Sequence, residues 1–314
     1  MGGRKYPRTG AGEAVVPMIT LAHLSDIHLA PLPPLRLREL ANKRWTGYLN
    51  WRLNRRNSLA GAGLATLVDH LHAQAPDFTC ITGDLVNLGL DAEIAAALGW
   101  LKGIGPPDRV CVCPGNHDAY LRSTLPRAYA AWREYLSGET LDGAPFPFVR
   151  RIGDVAIIAC SSAIATPPWV AAGRFDAAQA DRLRRFLDTL GAEGRFRVVL
   201  IHHPPTIEDF GYRKGLWGAE RFRRVLAEAG AELILHGHTH RSTRRTIPGP
   251  TTAIPVIGVA AAGTAQTDDA HGDPARYNLF DIAGESGSWH CTLREFGYRR
   301  GGREVEQLLE MPIL

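Results

Sequence analysis

Short apolar segments alternate with longer amphipathic ones through most of this chain. MITLAHL (18–24) and DFTCITG (77–83) have the length and composition of buried strands, whereas 57–75 and 91–102 carry apolar residues at helical spacing. The alternation continues through RVCVCPG, VAIIAC, RVVLIH and AELILHG, with further predicted helices near 176–190 and 218–229. Alternating strands and helices build sheets that are covered by helices. The sequence therefore predicts an α/β fold.

The segments after residue 240 read as short strands separated by Gly, Pro and Asp turns. We find no low-complexity linker and no internal repeat, and we predict one domain over 18–314 with a strand-rich C-terminal part over about 246–314. That part either completes a second sheet or mediates homodimerisation, and the pattern favours neither. Residues 1–17 are basic and rich in Gly and Pro without an apolar core segment, which predicts a flexible leader rather than a signal peptide.

Composition excludes some classes of protein. With 45% hydrophobic and 22% charged residues, the chain is typical of a soluble globular protein, and no apolar run approaches the roughly 18 residues of a membrane helix. Five cysteines lie mostly inside strand-like segments without CxxC spacing, which indicates buried free thiols in a reducing compartment. We therefore expect a cytoplasmic protein.

Polar clusters follow five of the predicted strands. The clusters are SDIH, GDLVN, GNHD, HHPP and GHTH, and each lies at the carboxyl end of an apolar segment, where open α/β sheets place their active sites. We expect one site that contains Asp26, His28, Asp84, Asn116, His117, Asp118, His202, His203, His238 and His240.

This many imidazoles and carboxylates in one site would repel one another or stay unsatisfied unless a positive charge lies between them. Asp26 and His28 are one residue apart and would point to the same side of an extended segment, and His238 and His240 repeat this spacing. Carboxylate, amide and imidazole ligands without thiolate suit Mn, Fe, Co or Zn better than a structural zinc or a calcium site. The ligands are too many for one ion, so we predict a dinuclear centre bridged by one carboxylate.

The five motifs, in this order over about residues 18–245, resemble those of the calcineurin-like metallophosphoesterase superfamily. The resemblance implies a four-layer α-β-β-α sandwich, with two central mixed sheets flanked by helices. It also implies that Asp84 bridges the two ions. The remaining implied ligands are Asp26, His28 and His240 on the first ion and Asn116, His202 and His238 on the second.

The resemblance assigns catalytic roles as well. His117 would face the phosphate and donate a proton to the leaving oxygen, with Asp118 orienting its ring, while the ions polarise the phosphoryl oxygens and supply a bridging hydroxide for in-line attack. We predict substrate contacts from Asn116, His117, His203 and Arg241. Either ring of the HHPP pair can be the ligand, and we assign His202 because it directly continues its strand.

An insertion over about 30–56 follows the first motif closely and would overhang the site as a cap. Its segment NKRWTGYLNWRLNRR (42–56) interleaves basic and aromatic residues, and residues 35–56 hold seven Lys and Arg, which favours an anionic partner. The segment fits a membrane-surface helix, a lid that stacks on a nucleotide, or a cap packed on the body beneath its arginine stems.

We therefore expect a dinuclear-metal phosphoesterase that acts on phosphodiesters. Motif spacing resembles the bacterial cyclic-nucleotide phosphodiesterase branch, which makes cyclic nucleotides candidate substrates. The alternative is a UDP-2,3-diacylglucosamine-type pyrophosphate hydrolase acting on a lipid substrate at the membrane surface, and lower alternatives are a phosphomonoesterase or a non-catalytic scaffold. We expect a small phosphate ester as the partner, either a nucleotide or a lipid-linked nucleotide, and no stable nucleic-acid partner.

Overall fold

A computed structural model describes residues 18–52, 61–206, 211–264 and 272–314. The predicted leader 1–17, the last residues of the insertion (53–56), the start of the predicted helix 57–75 and His271 lie outside the described residues.

Strands and helices alternate as the sequence predicts. The described strands are β1 (Ile19–Leu24), β2 (Phe78–Ile81), β3 (Val110–Val112), β4 (Glu139–Thr140), β5 (Phe148–Ile152), β6 (Val155–Ala159), β7 (Gly173–Arg174), β8 (Phe196–Leu200), β9 (Leu216–Trp217), β10 (Leu233–His236), β11 (Thr243–Ile247), β12 (Ile254–Gly258), β13 (Arg276–Ala283), β14 (His290–Tyr298) and β15 (Val305–Pro312). The described α-helices are α1 (Arg44–Asn50), α2 (Gly61–Ala73), α3 (Asp91–Ile104), α4 (Thr124–Ala131), α5 (Ala177–Ala192) and α6 (Ala219–Ala229).

Two large mixed sheets contain most of the strands. The first has six strands in the order β15-β14-β13-β1-β2-β3, with β1, β2 and β3 parallel to one another. The second has seven strands in the order β11-β12-β10-β8-β6-β5-β4, with β6, β8, β10 and β12 parallel. Strands β7 and β9 form a small parallel pair. Because the parallel strands of each sheet end at one edge, the loops that follow them lie side by side.

The alternation of side chains along β6 shows how the layers pack. Ile157 and Ala159 belong to the large core that also contains residues of the first sheet, whereas Ala156 and Ile158 belong to the core shared with α5 and α6. Phe222 of α6 is fully buried in that second core, a burial that contributes about 1.5–3 kcal/mol. Helices α2 and α3 contribute to the large core from the first sheet's side. The predicted α/β fold, with two mixed sheets and flanking helices, is confirmed.

The strands after residue 245 divide between the two sheets. Strand β12 extends the second sheet, as one expectation had it, but β13, β14 and β15 extend the first sheet beside β1. Strand β13 pairs antiparallel with β1 over five residues, and Thr20 Oγ1 donates to Asp281 Oδ1 at 2.8 Å. The apolar pattern of β13 and β14 fits either sheet, since the central strands of both sheets are buried. Their position follows from the pairing of β13 with the edge of β1 that does not pair with β2.

The sequence pattern does not predict helix α4 or the short strands. Helix α4 has eight residues with Pro126 in its first turn, so it is too short to show helical periodicity. Strands β4, β7 and β9 have two residues each. Among the helices of the described ranges, none is long and apolar enough to cross a membrane.

Candidate metal centre

The five polar loops converge at one rim of the two sheets. Strands β1, β2 and β3 lead into the loops of Asp26, Asp84 and Asn116, and strands β8 and β10 lead into those of His202 and His238. Ligand atoms of these loops lie within 4.8 Å of one another in overlapping groups. The groups are Asp26 with His28 and His240, Asp26 with Asp84 and His202, His28 with Asp84 and His117, and His202 with His203 and His238.

Five of these residues have a left-handed backbone. The φ angles are 52° at Asp26, 44° at His28, 57° at Asp84, 68° at His238 and 55° at His240. Such a conformation costs a non-glycine residue about 1–3 kcal/mol and clusters at functional sites. The expectation that an extended backbone points Asp26 and His28 the same way is wrong. Tight turns, rather than strand alternation, bring each pair of side chains together.

Asp26 is the centre of the first group. Its Oδ2 accepts the backbone N–H of His238 at 2.8 Å, while its Oδ1 lies 3.2 Å from His240 Nε2 and 3.9 Å from His28 Nε2. This buried Oδ1 has no hydrogen-bond partner among the described residues. Burial opposes its charge, but His240 holds the pKa of Asp26 below its usual range. His28 Nδ1 donates to Val86 O at 3.2 Å, which directs Nε2 toward the carboxylate, and a cation fits this arrangement.

Asn116 joins two imidazoles in the second group. Its Oδ1 lies 3.2 Å from His202 Nε2 and 3.0 Å from His238 Nδ1. The opposite ring nitrogens donate to backbone carbonyls, His202 Nδ1 to Thr82 at 2.6 Å and His238 Nε2 to Lys214 at 3.0 Å. Whenever both rings are neutral, their lone pairs therefore face an amide oxygen, which is also an acceptor. Such a set of acceptors needs a proton or a cation between its members.

Asp84 lies between the two groups. Its Oδ1 accepts the backbone N–H of His117 at 2.7 Å, and its Oδ2 lies 3.9 Å from His28 Nε2 and 3.4 Å from His202 Nε2. Burial disfavours a charged His202 ring, but the Asp84 carboxylate outweighs this and raises the pKa of His202 to about 9. A side chain at Gly115 would collide with the Asp84 carboxylate. This position between both groups supports the bridging role proposed for Asp84.

Asp118 orders the loop that carries Asp84. Its Oδ2 accepts the backbone N–H groups of Asp84 and Gly115, both at 2.8 Å, and its Oδ1 accepts that of Leu85 at 3.0 Å. Burial, and then the charge of Asp84, raises the pKa of Asp118 to about 7. The side chain is fully buried. These contacts differ from the expected catalytic role of Asp118 as the group that orients His117.

The ring of His117 is oriented by a backbone carbonyl instead. His117 Nδ1 donates to Asn87 O at 2.6 Å, and its ring packs against His28 at 4.7 Å and Tyr120 at 5.8 Å between centroids. The sequence places Asn87 in the GDLVN motif, yet its contribution through a carbonyl has no side-chain signature. The carbonyls of Thr82 and Val86 were missed for the same reason.

His203 packs against the two imidazoles of the second group, those of His202 and His238. It is buried, its Nδ1 accepts from Ser162 Oγ at 2.8 Å, and its Nε2 donates to Ala171 O at 3.0 Å. Burial, and then the charge of His202, lowers the pKa of His203 to about 3, so the ring is neutral. Its centroid lies 4.3 Å from that of His238. These contacts favour a positioning role for His203 over the substrate contact expected from the sequence, and they favour His202 as the ligand.

Arg241 and Arg244, which follow His240, have different surroundings. Arg241 is exposed, and its backbone N–H donates to Thr239 Oγ1 at 3.2 Å, so its predicted substrate contact stays a prediction. Arg244 directs its guanidinium to Glu295, with Nη1 4.0 Å from the carboxylate. The neighbouring His236 is buried within hydrogen-bonding distance of Thr243 Oγ1, at 3.2 Å, as expected of a core histidine.

The insertion packs on the body next to His117. Arg44, at the start of α1, is buried, and it donates from Nε to Leu88 O at 2.9 Å and from Nη2 to Gly89 O at 2.6 Å. A side chain at Gly47 would collide with the Tyr120 hydroxyl. Helix α1 therefore lies against the loop that follows Asp84. These contacts fit the packed-cap interpretation around Arg44 and Gly47, and the role of the whole insertion stays a prediction.

Comparisons with known proteins agree with this architecture. A dimetal phosphatase from Danio rerio superposes with a TM-score of 0.59 at 12% identity, covering 92% of this chain and 98% of that one. A purple acid phosphatase from yellow lupin (Lupinus luteus) seeds gives 0.56 at 11% identity, covering 93% of this chain and 54% of that one. At such identities the likeness concerns the fold alone. None of the curated proteins compared with the chain matches it.

The family comparison is more specific. The model of the calcineurin-like phosphoesterase family matches residues 19–242, a range that contains all five polar loops. Members of this family use dinuclear metal centres, and the clustered His and Asp side chains fit one. The chain therefore belongs to the calcineurin-like phosphoesterase family and is a metal-dependent phosphoesterase.

Proposed function

We propose that the chain hydrolyses phosphodiester bonds, with cyclic nucleotides as the first substrates to test. The proposal is supported by the surface beside His117 that Tyr120 and Gly47 form, which we call the wall. The His117 ring packs against Tyr120, and Tyr120 packs against Gly47 of the insertion. A leaving group that receives a proton from His117 would meet this wall. A phosphate ester with a large substituent gains contacts there that an ester with a small substituent does not make.

The chain's own residues supply positioning and proton transfer. Two bound ions would polarise the phosphoryl oxygens and activate water. Asn116 would present its amide next to the phosphate, and His117 would donate a proton to the leaving oxygen from Nε2, since Nδ1 donates to Asn87. Asp118 keeps the Asp84 loop in place by accepting the backbone N–H groups of Asp84 and Leu85, at 2.8 and 3.0 Å.

The test is a matched pair of substrates. Initial rates with Mn²⁺ on bis-p-nitrophenyl phosphate and p-nitrophenyl phosphate compare a diester with a monoester that has the same leaving group. We expect kcat/KM to favour the diester, and cyclic AMP to be hydrolysed next. A preference for the monoester would instead make the chain a phosphatase. Retention of two ions without turnover of any phosphate ester would indicate a scaffold.

A second candidate is hydrolysis of a lipid-linked pyrophosphate. Trp45 and Leu49 of α1 are 52% and 48% exposed, although both are large and apolar. A groove of about 370 Å³ in the same insertion is lined by Leu32, Tyr48 and Trp51, among others. Exposed aromatic and apolar side chains on a basic segment suit contact with lipid. Activity on a UDP-2,3-diacylglucosamine substrate in detergent, with none on cyclic AMP, would favour this candidate.

The five cysteines are all free and buried, in keeping with the reducing, cytoplasmic location that we propose for the chain.

A further inference from the structure

Lys43 brings a positive charge to the wall beside His117. Its Nζ lies 4.8 Å from the centroid of the Tyr120 ring, and that centroid lies 5.8 Å from the centroid of the His117 ring. Tyr120 therefore separates the ammonium group from the predicted proton donor by one aromatic ring. A leaving half that extends past His117 along the Tyr120 ring would approach Lys43.

The ammonium group has only neutral partners in the described part of the chain. Nζ donates to Thr166 Oγ1 at 3.0 Å and lies over the Tyr120 ring, and no ion pair with a carboxylate within 4 Å is formed there. Lys43 is partly buried, and this burial lowers its pKa to about 8. A hydroxyl and a ring face compensate a desolvated charge less well than an anion does. The site is thus suited to a negatively charged group.

Neighbouring contacts fix where this charge lies. Arg44, the next residue, is held by the carbonyls of Leu88 and Gly89, beyond the end of the GDLVN motif. Thr166 belongs to the loop between β6 and β7, whose Ala171 carbonyl accepts from His203. Lys43 therefore connects the insertion, which packs beside the first sheet, to a loop of the second sheet. An ordered cation at this position costs little additional entropy when it binds a ligand.

We propose that Lys43 binds a second phosphate group, in the leaving half of the substrate. The substrate class is then a compound with two linked phosphates, such as a pyrophosphate-linked nucleotide, with one phosphate at the ion groups and the other at Lys43. This inference rests on the proposed hydrolysis of phosphoesters at the ion groups, and it favours the pyrophosphate candidate over cyclic nucleotides, which carry one phosphate. It adds that the insertion selects substrates by their charge and not only by their shape.

A binding experiment tests the inference with a readout other than turnover. The probes are α,β-methylene-ADP, which has two phosphorus groups and resists cleavage between them, and AMP, which has one. Their Kd values are measured by calorimetry on the Mn²⁺-loaded full chain, for the native protein, Lys43→Met and Lys102→Met. Lys102 is an exposed lysine on α3 and serves as the matched control.

We expect Lys43→Met to weaken binding of α,β-methylene-ADP at least about tenfold and to change AMP binding less than about twofold. Lys102→Met should leave both Kd values unchanged, and Lys43→Arg should retain most of the affinity for the analogue. Equal losses for both probes in Lys43→Met, or no loss for either, overturn the inference. Metal content and Tm of each variant show whether the fold and the ion groups remain intact.

Failure of the proposed function has a different signature. It would appear as an absence of hydrolysis by the native protein on the diester, cyclic AMP and pyrophosphate substrates, whatever the binding data show. Failure of the Lys43 assignment would appear in the Kd ratio of the two probes.

Discussion

The Asp118 carboxylate accepts the backbone N–H of Asp84 at 2.8 Å, inside the fully buried base of the metal centre. Asp118 is thereby a positioning residue for the loop that carries the central carboxylate. In Asp118→Asn, an amide NH₂ replaces one acceptor and faces backbone donors. We expect a loss of about 2 kcal/mol in the free energy of unfolding and about 10–100-fold weaker metal binding.

Urea unfolding and metal titration of the Asp118→Asn variant measure these losses, with Asp188→Asn on the exposed face of α5 as the control. If Asp118 instead serves the ring of His117, its variant will keep native metal affinity and lose rate selectively on poor leaving groups.

Asp84→Asn tests the bridge between the two groups. The amide keeps the shape of the carboxylate but removes the charge that both groups share, so we expect fewer than two ions per chain and kcat/KM at least about 100-fold lower. Metal analysis after gel filtration and diester kinetics check both expectations. Two tightly held ions together with full turnover would exclude a bridging role.

His117→Ala separates proton donation from metal binding. His117 is expected to act on the leaving oxygen, so both ions should stay bound while substrates with poor leaving groups slow by about 10²–10⁴. p-Nitrophenyl esters should slow less, because p-nitrophenolate leaves without a proton. The comparison uses a series of aryl and alkyl diesters at saturating Mn²⁺. Equal losses across that series would remove the acid role.

Buried His23 predicts a loss of stability in acid. Burial, and then the charge of His236, lowers the pKa of His23 to about 3. Between about pH 6.5 and pH 3 the unfolded chain therefore binds a proton that the folded chain does not, and stability falls as the pH falls. One such proton contributes about 1.4 kcal/mol per pH unit.

His23→Gln should make this slope shallower by about one proton between pH 6.5 and 4.5. Urea unfolding with EDTA present measures the slope without release of metal ions. Above pH 7.5 the variant and the native protein should respond to pH in parallel. Identical slopes below pH 6.5 would show that His23 is not the residue that titrates.

The short-range patterns of the sequence determined the fold class and the family. Strands such as β1 are visible as short apolar runs, and helices such as α5 by apolar residues at helical spacing, because burial selects apolar side chains. The five polar motifs lie at strand ends, and the match of the family model over 19–242 confirms the family that they indicate. The candidate ligands could be named from these motifs, since each contributes a side chain with recognisable chemistry.

Only the tertiary structure decided how these residues are held. Asp84 and His202 approach to 3.4 Å across the two sheets, and carbonyls such as those of Thr82 and Asn87 orient the imidazoles. The left-handed turns at Asp26 and His28 and the attachment of β13 to β1 also follow from contacts between distant residues. A backbone carbonyl has the same chemistry in every residue, and the pairing of a strand depends on which edge is open. Neither can be read from local residue types.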